Sequence, residues 1–331
     1  MSDSAYGNFP KVELHLHLEG AAPPAFIRGL AKEKNIDIHR IFDDAGNYAF
    51  GNFTQFLQVY EATVETLKTP EDYHRLTLAM LEQSAVQGVI YTETFLSPDF
   101  CGGGEVAAWR EFLQAIKEAA DIAETRDGII MRGIVTAVRH LGPDKAKAAA
   151  LCAAETVGDW LVGFGIGGDE RIGRLKDFSW SFDLAREAKL HLTAHAGEWG
   201  GPESVRDALS LGVERIGHGV RAIEDLALVD HLAENEIVLE VCPGSNIALG
   251  LYPDWQHHPI ERLMERGVKV TVSTDDPPFF HTTMSYEFER LADSYGWDDD
   301  VLRTLNETAT GVAFCDEPTR ARLMKKLEQY Q

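Results

Sequence analysis

Short runs of apolar and β-branched residues alternate along this chain with longer stretches whose apolar positions recur every three or four residues. Alternation on that scale predicts repeated strand–helix units and a parallel sheet. The strand-like runs cover residues 12–17, 89–96, 129–138, 161–166, 190–195, 215–217, 237–241 and 268–273. Helical patterns lie between them at 109–125, 143–157, 178–188, 204–211 and 223–234, with glycine or proline at the joins. Eight runs of this kind predict an α/β fold, a TIM-type (β/α)8 barrel. An open doubly wound sheet fits less well, because no Gly-x-Gly-x-x-Gly follows the first run.

One connection is out of proportion. Residues 18–88 separate the first two runs, so extra helices must be inserted after the first strand. Within this insertion Phe53, Phe56, Leu57 and Tyr60 fall at helical spacing. They read either as a stripe facing the core or as a lid over a pocket.

The chain has 331 residues, and a single barrel domain over 1–331 accommodates them. A formal net charge of −22 disfavours a nucleic-acid polymer or an anionic membrane surface as partner. No apolar run is long enough to span a bilayer, and the first residues hold no signal-like run, which predicts a cytoplasmic protein. Cys101, Cys152, Cys242 and Cys315 are scattered, with no Cys-x-x-Cys pair, and read as free thiols.

Candidate chemistry collects at the C-terminal ends of the strand runs, where a barrel builds its active site. His15 and His17 stand two apart on a strand, so both side chains can reach one point, and two imidazoles make half of a metal site. Taken alone, they could equally be hydrogen-bonded structural histidines. His195 ends the fifth run, and Ala196-Gly197 lets the chain turn so that Glu198 faces the same cavity. Burial there would raise the Glu198 pKa and make it a proton donor, whereas an exposed loop glutamate would do nothing of the kind.

His218 lies between two glycines, and Asp275 and Asp276 follow the last run. Two adjacent buried acids repel unless a cation neutralises one; a helix cap before Pro277 is the plainer alternative. His39, His74, His231, His257, His258 and His281 have no comparable setting and read as surface or structural residues. Three histidines and an aspartate, with a coordination position left for water, point to metal-assisted hydrolysis, with Glu198, His218 and Asp276 handling protons. The fourth run, 161–166, has no lysine to bridge a second ion, which favours one metal.

Five ordered motifs now coincide: residues 10–20 (Pro-Lys-Val-Glu-Leu-His-Leu-His-Leu-Glu-Gly), Gly167-Gly168-Asp169-Glu170, His195-Ala196-Gly197-Glu198, Arg215 to Gly219, and Thr274-Asp275-Asp276-Pro277. In order and spacing the chain resembles the adenosine deaminase family of the amidohydrolase superfamily. The resemblance implies one Zn2+ per chain held by His15, His17, His195 and Asp275. It implies that Glu198 protonates purine N1 while hydroxide adds to C6, that His218 and Asp276 hold the hydroxide and manage its proton, and that the Gly168 N–H binds N3. The substrate-facing set is then His17, Glu19, Gly168, Asp276, Phe56, Leu57 and Tyr60.

Adenosine-specific members commonly have aspartate where this chain has Glu19, so the resemblance leaves the substrate open. The first expectation is deamination of adenosine and deoxyadenosine to inosine or deoxyinosine and ammonia. The alternatives are adenine deamination to hypoxanthine, deamination of another 6-aminopurine nucleoside and, from a different class, an inactive purine-binding relative.

Overall fold

A computed structural model describes residues 5–330; residues 1–4 and 331, part of the expected 1–331 domain, lie outside the described residues. Eight strands follow one another in chain order around a parallel sheet: β1 (Lys11–His17), β2 (Val89–Leu96), β3 (Ile130–Val138), β4 (Leu161–Gly167), β5 (His191–Ala196), β6 (Arg215–His218), β7 (Val238–Val241) and β8 (Val270–Val272). The ring closes where the segment after β8 meets β1. The His17 N–H donates to the Asp275 carbonyl at 3.0 Å, and the Asp275 N–H donates to the His15 carbonyl at 3.1 Å. The chain is therefore a (β/α)8 barrel, as its periodicity predicts.

β8 is shorter than the run 268–273 suggests. The Val268 N–H is taken by the Leu263 carbonyl of the preceding turn, and Thr274 gives both its N–H and its hydroxyl to the Glu13 carboxylate. Val268 thus spends its donor outside the strand ladder and the strand starts late, while Ser273 still donates to the Val241 carbonyl of β7 before the chain turns to Glu13.

Three helices fill the long insertion: α1 (Pro24–Lys34), α2 (Phe53–Val64) and α3 (Pro70–Val86). Asn52 caps α2 by accepting the Gln55 N–H, and a reciprocal Thr69–Asp72 box with Pro70 in the first turn starts α3. The helical patterns become α4 (Val106–Asp127), α5 (Pro143–Ala154), α6 (Ser179–Glu187), α7 (Pro202–Ser210) and α8 (Leu226–Glu234). The last starts later than residue 223 because the Asp225 side chain caps it, accepting the Ala227 and Leu228 N–H groups. Beyond them come α9 (Pro243–Ala248), α10 (Ile260–Glu265), α11 (Pro277–Phe280), α12 (Met284–Tyr295), α13 (Asp299–Val312) and α14 (Glu317–Gln329). α13 packs across β1 and β8, and Asn306 on it accepts the Val12 N–H at 2.9 Å.

Beneath the strand ends the barrel interior is charged but paired. The fully buried Arg215 donates from Nε to Glu240 (2.6 Å), from Nη2 to Glu93 (2.5 Å) and from Nη1 to the Val312 carbonyl (2.8 Å). Its guanidinium lies over the Phe314 ring, 3.5 Å from the centroid. Two carboxylates, a carbonyl and an aromatic face together compensate a charge that would be costly alone. The four cysteines are free, three of them buried. Among the described residues no helix is long and apolar enough to cross a membrane.

Candidate active site

Strand ends deliver the predicted ligands to one point. His15 and His17 come from β1, His195 from β5 and Asp275 from the closing segment, and one ligand atom of each lies within 4.8 Å of the others. The Nε2 atoms of His17 and His195 are 3.1 Å apart; Asp275 Oδ1 is 3.4 Å from His15 Nε2 and 3.3 Å from His17 Nε2.

Neighbouring groups fix the orientation. His15 Nδ1–H donates to Glu240 at 2.9 Å, which leaves Nε2 as a lone pair aimed into the cluster, buried and without a hydrogen-bond partner. The Ser245 hydroxyl donates to Asp275 Oδ2 at 2.7 Å and leaves Oδ1 facing the imidazoles.

The donor set fits a divalent cation such as zinc. Burial and the neighbouring imidazoles hold His195 well below the usual histidine range, and burial lowers His17, so both are neutral. At His15 burial lowers the pKa, yet the facing carboxylates of Asp275 and Glu240 lift it to about 9: the cluster favours positive charge, a proton or a cation, at Nε2. Although burial opposes ionisation of Asp275, the His15 and His17 imidazoles facing it keep its carboxyl well below the ordinary range.

Above the cluster lies a cavity of about 90 Å³. Every residue expected to face the substrate lines it: His17, Glu19, Phe56, Leu57, Tyr60, Gly168 and Asp276, together with the candidate proton-handling residues Glu198 and His218. The four α2 residues left open between core and lid do both. Phe53 and Phe56 are buried, and all four of Phe53, Phe56, Leu57 and Tyr60 form cavity wall. The Phe53 ring packs tilted against Trp199 at 4.7 Å and the Phe56 ring against Phe280 at 5.1 Å, which ties α2 to the loop after β5 and to α11.

Glu198 and Asp276 are buried carboxyls with raised pKa values. Burial comes first for both; Asp275 and Glu170 then raise Glu198 further, and Asp275, Glu198 and Glu19 raise Asp276. Gly20 makes room for Asp276, since a Cβ there would fall 1.5 Å from its Oδ1. Glu19 is also buried; its Oε1 accepts the Tyr73 hydroxyl at 3.0 Å and its Oε2 the Tyr60 hydroxyl at 3.4 Å. Burial lifts its pKa to about 7 in spite of both bonds.

A directional relay sets the tautomer of His218. The Ile260 N–H can only donate, and it reaches His258 Nδ1 at 3.3 Å, so neutral His258 carries its proton on Nε2 and gives it to Asn246 Oδ1 at 3.1 Å. Asn246 Nδ2 then donates to His218 Nδ1 at 3.3 Å, which leaves Nε2–H of His218 as a donor toward the cavity. Burial lowers both histidines to about 3, so they are neutral. Sequence reading grouped His258 with the surface or structural histidines and passed over Asn246.

Glu240, Ser245 and Tyr73 also escaped notice. The signal for Glu240 was available: a charged residue inside the apolar run 237–241 must be buried, and a buried carboxylate needs a partner. Tyr73 and Ser245 stand far from their partners in sequence and carry no such signal.

A barrel with three imidazoles, a carboxylate and raised-pKa acids at its strand ends has the layout of a metal-dependent hydrolase. The model of the adenosine deaminase family matches residues 10–330, and the chain belongs to that family; it is a deaminase. It is 46% identical over 319 residues to an adenine deaminase of Agrobacterium fabrum, covering 96% of this chain and 97% of the relative. It is 45% identical over 319 residues to an adenine deaminase of Rhizobium rhizogenes, covering 96% and 98%. Among solved structures, the adenine deaminase of Arthrobacter aurescens superposes with a TM-score of 0.89 at 29% identity, covering 97% of this chain and 98% of that one. An amidohydrolase from Burkholderia ambifaria with bound Zn superposes at 0.86 and 27% identity, covering 98% and 92%.

Proposed function

We propose that this protein is a zinc-dependent adenine deaminase, converting adenine and water to hypoxanthine and ammonia. The sequence put the nucleoside first; the relatives carry the name of the alternative, and one observation favours the free base. Each oxygen of the Glu19 carboxyl already accepts a tyrosine hydroxyl from the insertion helices, so the group is drawn into the wall and not held out to a ribose hydroxyl. The cavity of about 90 Å³ agrees with a small substrate, since pockets for drug-sized ligands run to ~300–1,000 Å³.

His15, His17, His195 and Asp275 would hold the ion, which when bound supplies an acidified water at neutral pH. Glu198, kept protonated by burial, donates to N1 and makes C6 electrophilic. Asp276, whose carboxyl the positive charge of a bound ion would draw back to its ionised form, accepts a proton from the attacking water, while His218, with Nε2–H toward the cavity, donates a hydrogen bond to the incoming oxygen. The oxygen stays on C6, and the 6-amino group leaves with one of the water's protons as ammonia. The other returns to Glu198, so atoms and protons balance. Gly168, at the cavity wall, offers backbone to the far side of the ring.

The test is kcat/KM for adenine and adenosine side by side, with zinc-loaded protein. A preference for adenine of about 10²-fold or more is expected, the scale on which a site rejects a group that it cannot pair or fit. Faster turnover of adenosine would return the assignment to the nucleoside.

A further inference from the structure

Glu170 has no role in the steps above, yet its buried carboxylate draws four donors from the turn between β5 and α7 and a fifth from the first turn of α7. Oε1 accepts the Gly197 N–H at 2.7 Å and the Ser204 hydroxyl; Oε2 accepts the N–H groups of Glu198 (3.0 Å), Trp199 (2.7 Å) and Gly200 (2.8 Å). Four successive backbone N–H groups curled around one anion form a nest, and its bonds are charge-assisted. Gly200 permits the approach, because a Cβ there would lie 2.5 Å from Glu170 Oε1.

Glu198 sits inside this nest. Its carboxyl lies 3.9 Å from His218 Nε2, too far for a hydrogen bond, so the direction of the side chain is inherited from the turn. The loop carrying Glu170 is braced in its own right. Arg139 donates to the Ile172 and Gly173 carbonyls at 2.8 and 2.9 Å, and Arg171, paired with Asp169, lies over the rings of Phe53 and Trp199.

We propose that Glu170 is a positioning residue for the deamination, holding residues 197–200 in the shape that aims the Glu198 carboxyl at the ring nitrogen to be protonated. The inference rests on the role given to Glu198 above, and the experiment separates the two. Glu170→Gln keeps the size of the side chain but turns an amide N–H2 toward backbone N–H groups. Gly200→Ala keeps Glu170 but pushes its carboxylate out of the nest.

Both variants, prepared with zinc, are expected to show wild-type metal content and circular dichroism, a KM for adenine within about threefold of wild type, and a kcat lower by about 10²-fold or more, the share of a positioned acid. Glu170→Gln introduced into Glu198→Gln should cause no further loss, because both act through one proton transfer. The proposal is overturned by a folded variant with near-wild-type kcat, by an additive loss in the double variant, by metal lost in step with rate, or by failure of both variants to fold. An active Glu198→Gln would instead overturn the role of Glu198, whatever Glu170 does.

Discussion

The role proposed for Glu198 makes its proton occupancy decide activity. A carboxyl raised by burial, by Asp275 and by Glu170 keeps its proton through neutral pH, so kcat/KM should hold there and fall on the alkaline side as that proton is lost. Glu198→Gln should retain metal and bind adenine while losing ~10²–10⁴ in kcat, which steady-state kinetics and metal analysis will read together. His15 offers a second test at this scale. Glu240 fixes its tautomer through a 2.9 Å bond, so Glu240→Gln should weaken metal affinity by about 10- to 100-fold, measured by competition with a chelating dye. Unchanged affinity would mean that Arg215 and Thr193, which also bond Glu240, and not His15, are its reason for being there.

Among the elements, α2 carries the strongest functional demand. It caps the cavity through Phe53, Phe56, Leu57 and Tyr60, and it is fastened to the Glu198 loop by the Phe53–Trp199 pair. Such a pair contributes about 0.5–1.5 kcal/mol beyond the area that it buries. Phe53→Ala should therefore raise KM for adenine by about three- to tenfold with a smaller change in kcat; a fall in kcat alone would mean that α2 shapes the chemistry and not the closure. The strands were legible because eight apolar runs, separated by helical patterns, repeat a simple alternation. His15, His17 and His195 lie at or near the ends of two such runs, and Glu198, His218, Asp275 and Asp276 come within three residues after one. What escaped were the partners. Asn246 and Ser245 lie in α9 and Tyr73 in α3, and their importance comes from spatial neighbours tens or hundreds of positions away, which periodicity does not record; Glu170 was named within a motif but given no role. The C-terminal helices α12 to α14 were likewise passed over, although Thr283, Asp298 and Asp316 cap them with side-chain oxygens.

Over the whole molecule, buried acids tie stability to pH. Glu287 accepts the Thr282 hydroxyl and the Gly244 N–H, but burial still raises its pKa to about 8. A folded-state pKa above the unfolded value favours the native state at low pH; that contribution is complete below the unfolded pKa of ~4.3 and is lost as pH rises through about 8. Thermal unfolding should accordingly show Tm falling from pH 6 to pH 8, and Glu287→Gln should flatten that dependence. A parallel pH profile in the variant would assign the effect to other groups, the −22 net charge among them.

The closing seam of the barrel has a consequence for how the molecule is made. His15 and His17 leave the ribosome first, and Asp275, which must hydrogen-bond to their backbone, emerges some 260 residues later. At ~5–20 residues per second, that interval lasts roughly 13–50 s. During it the first two imidazoles have neither their carboxylate nor the ring that would bury them. The candidate metal site thus cannot be finished before residue 275 is made, and a nascent chain stopped short of it should capture no tightly held ion, however much of the barrel it has already folded.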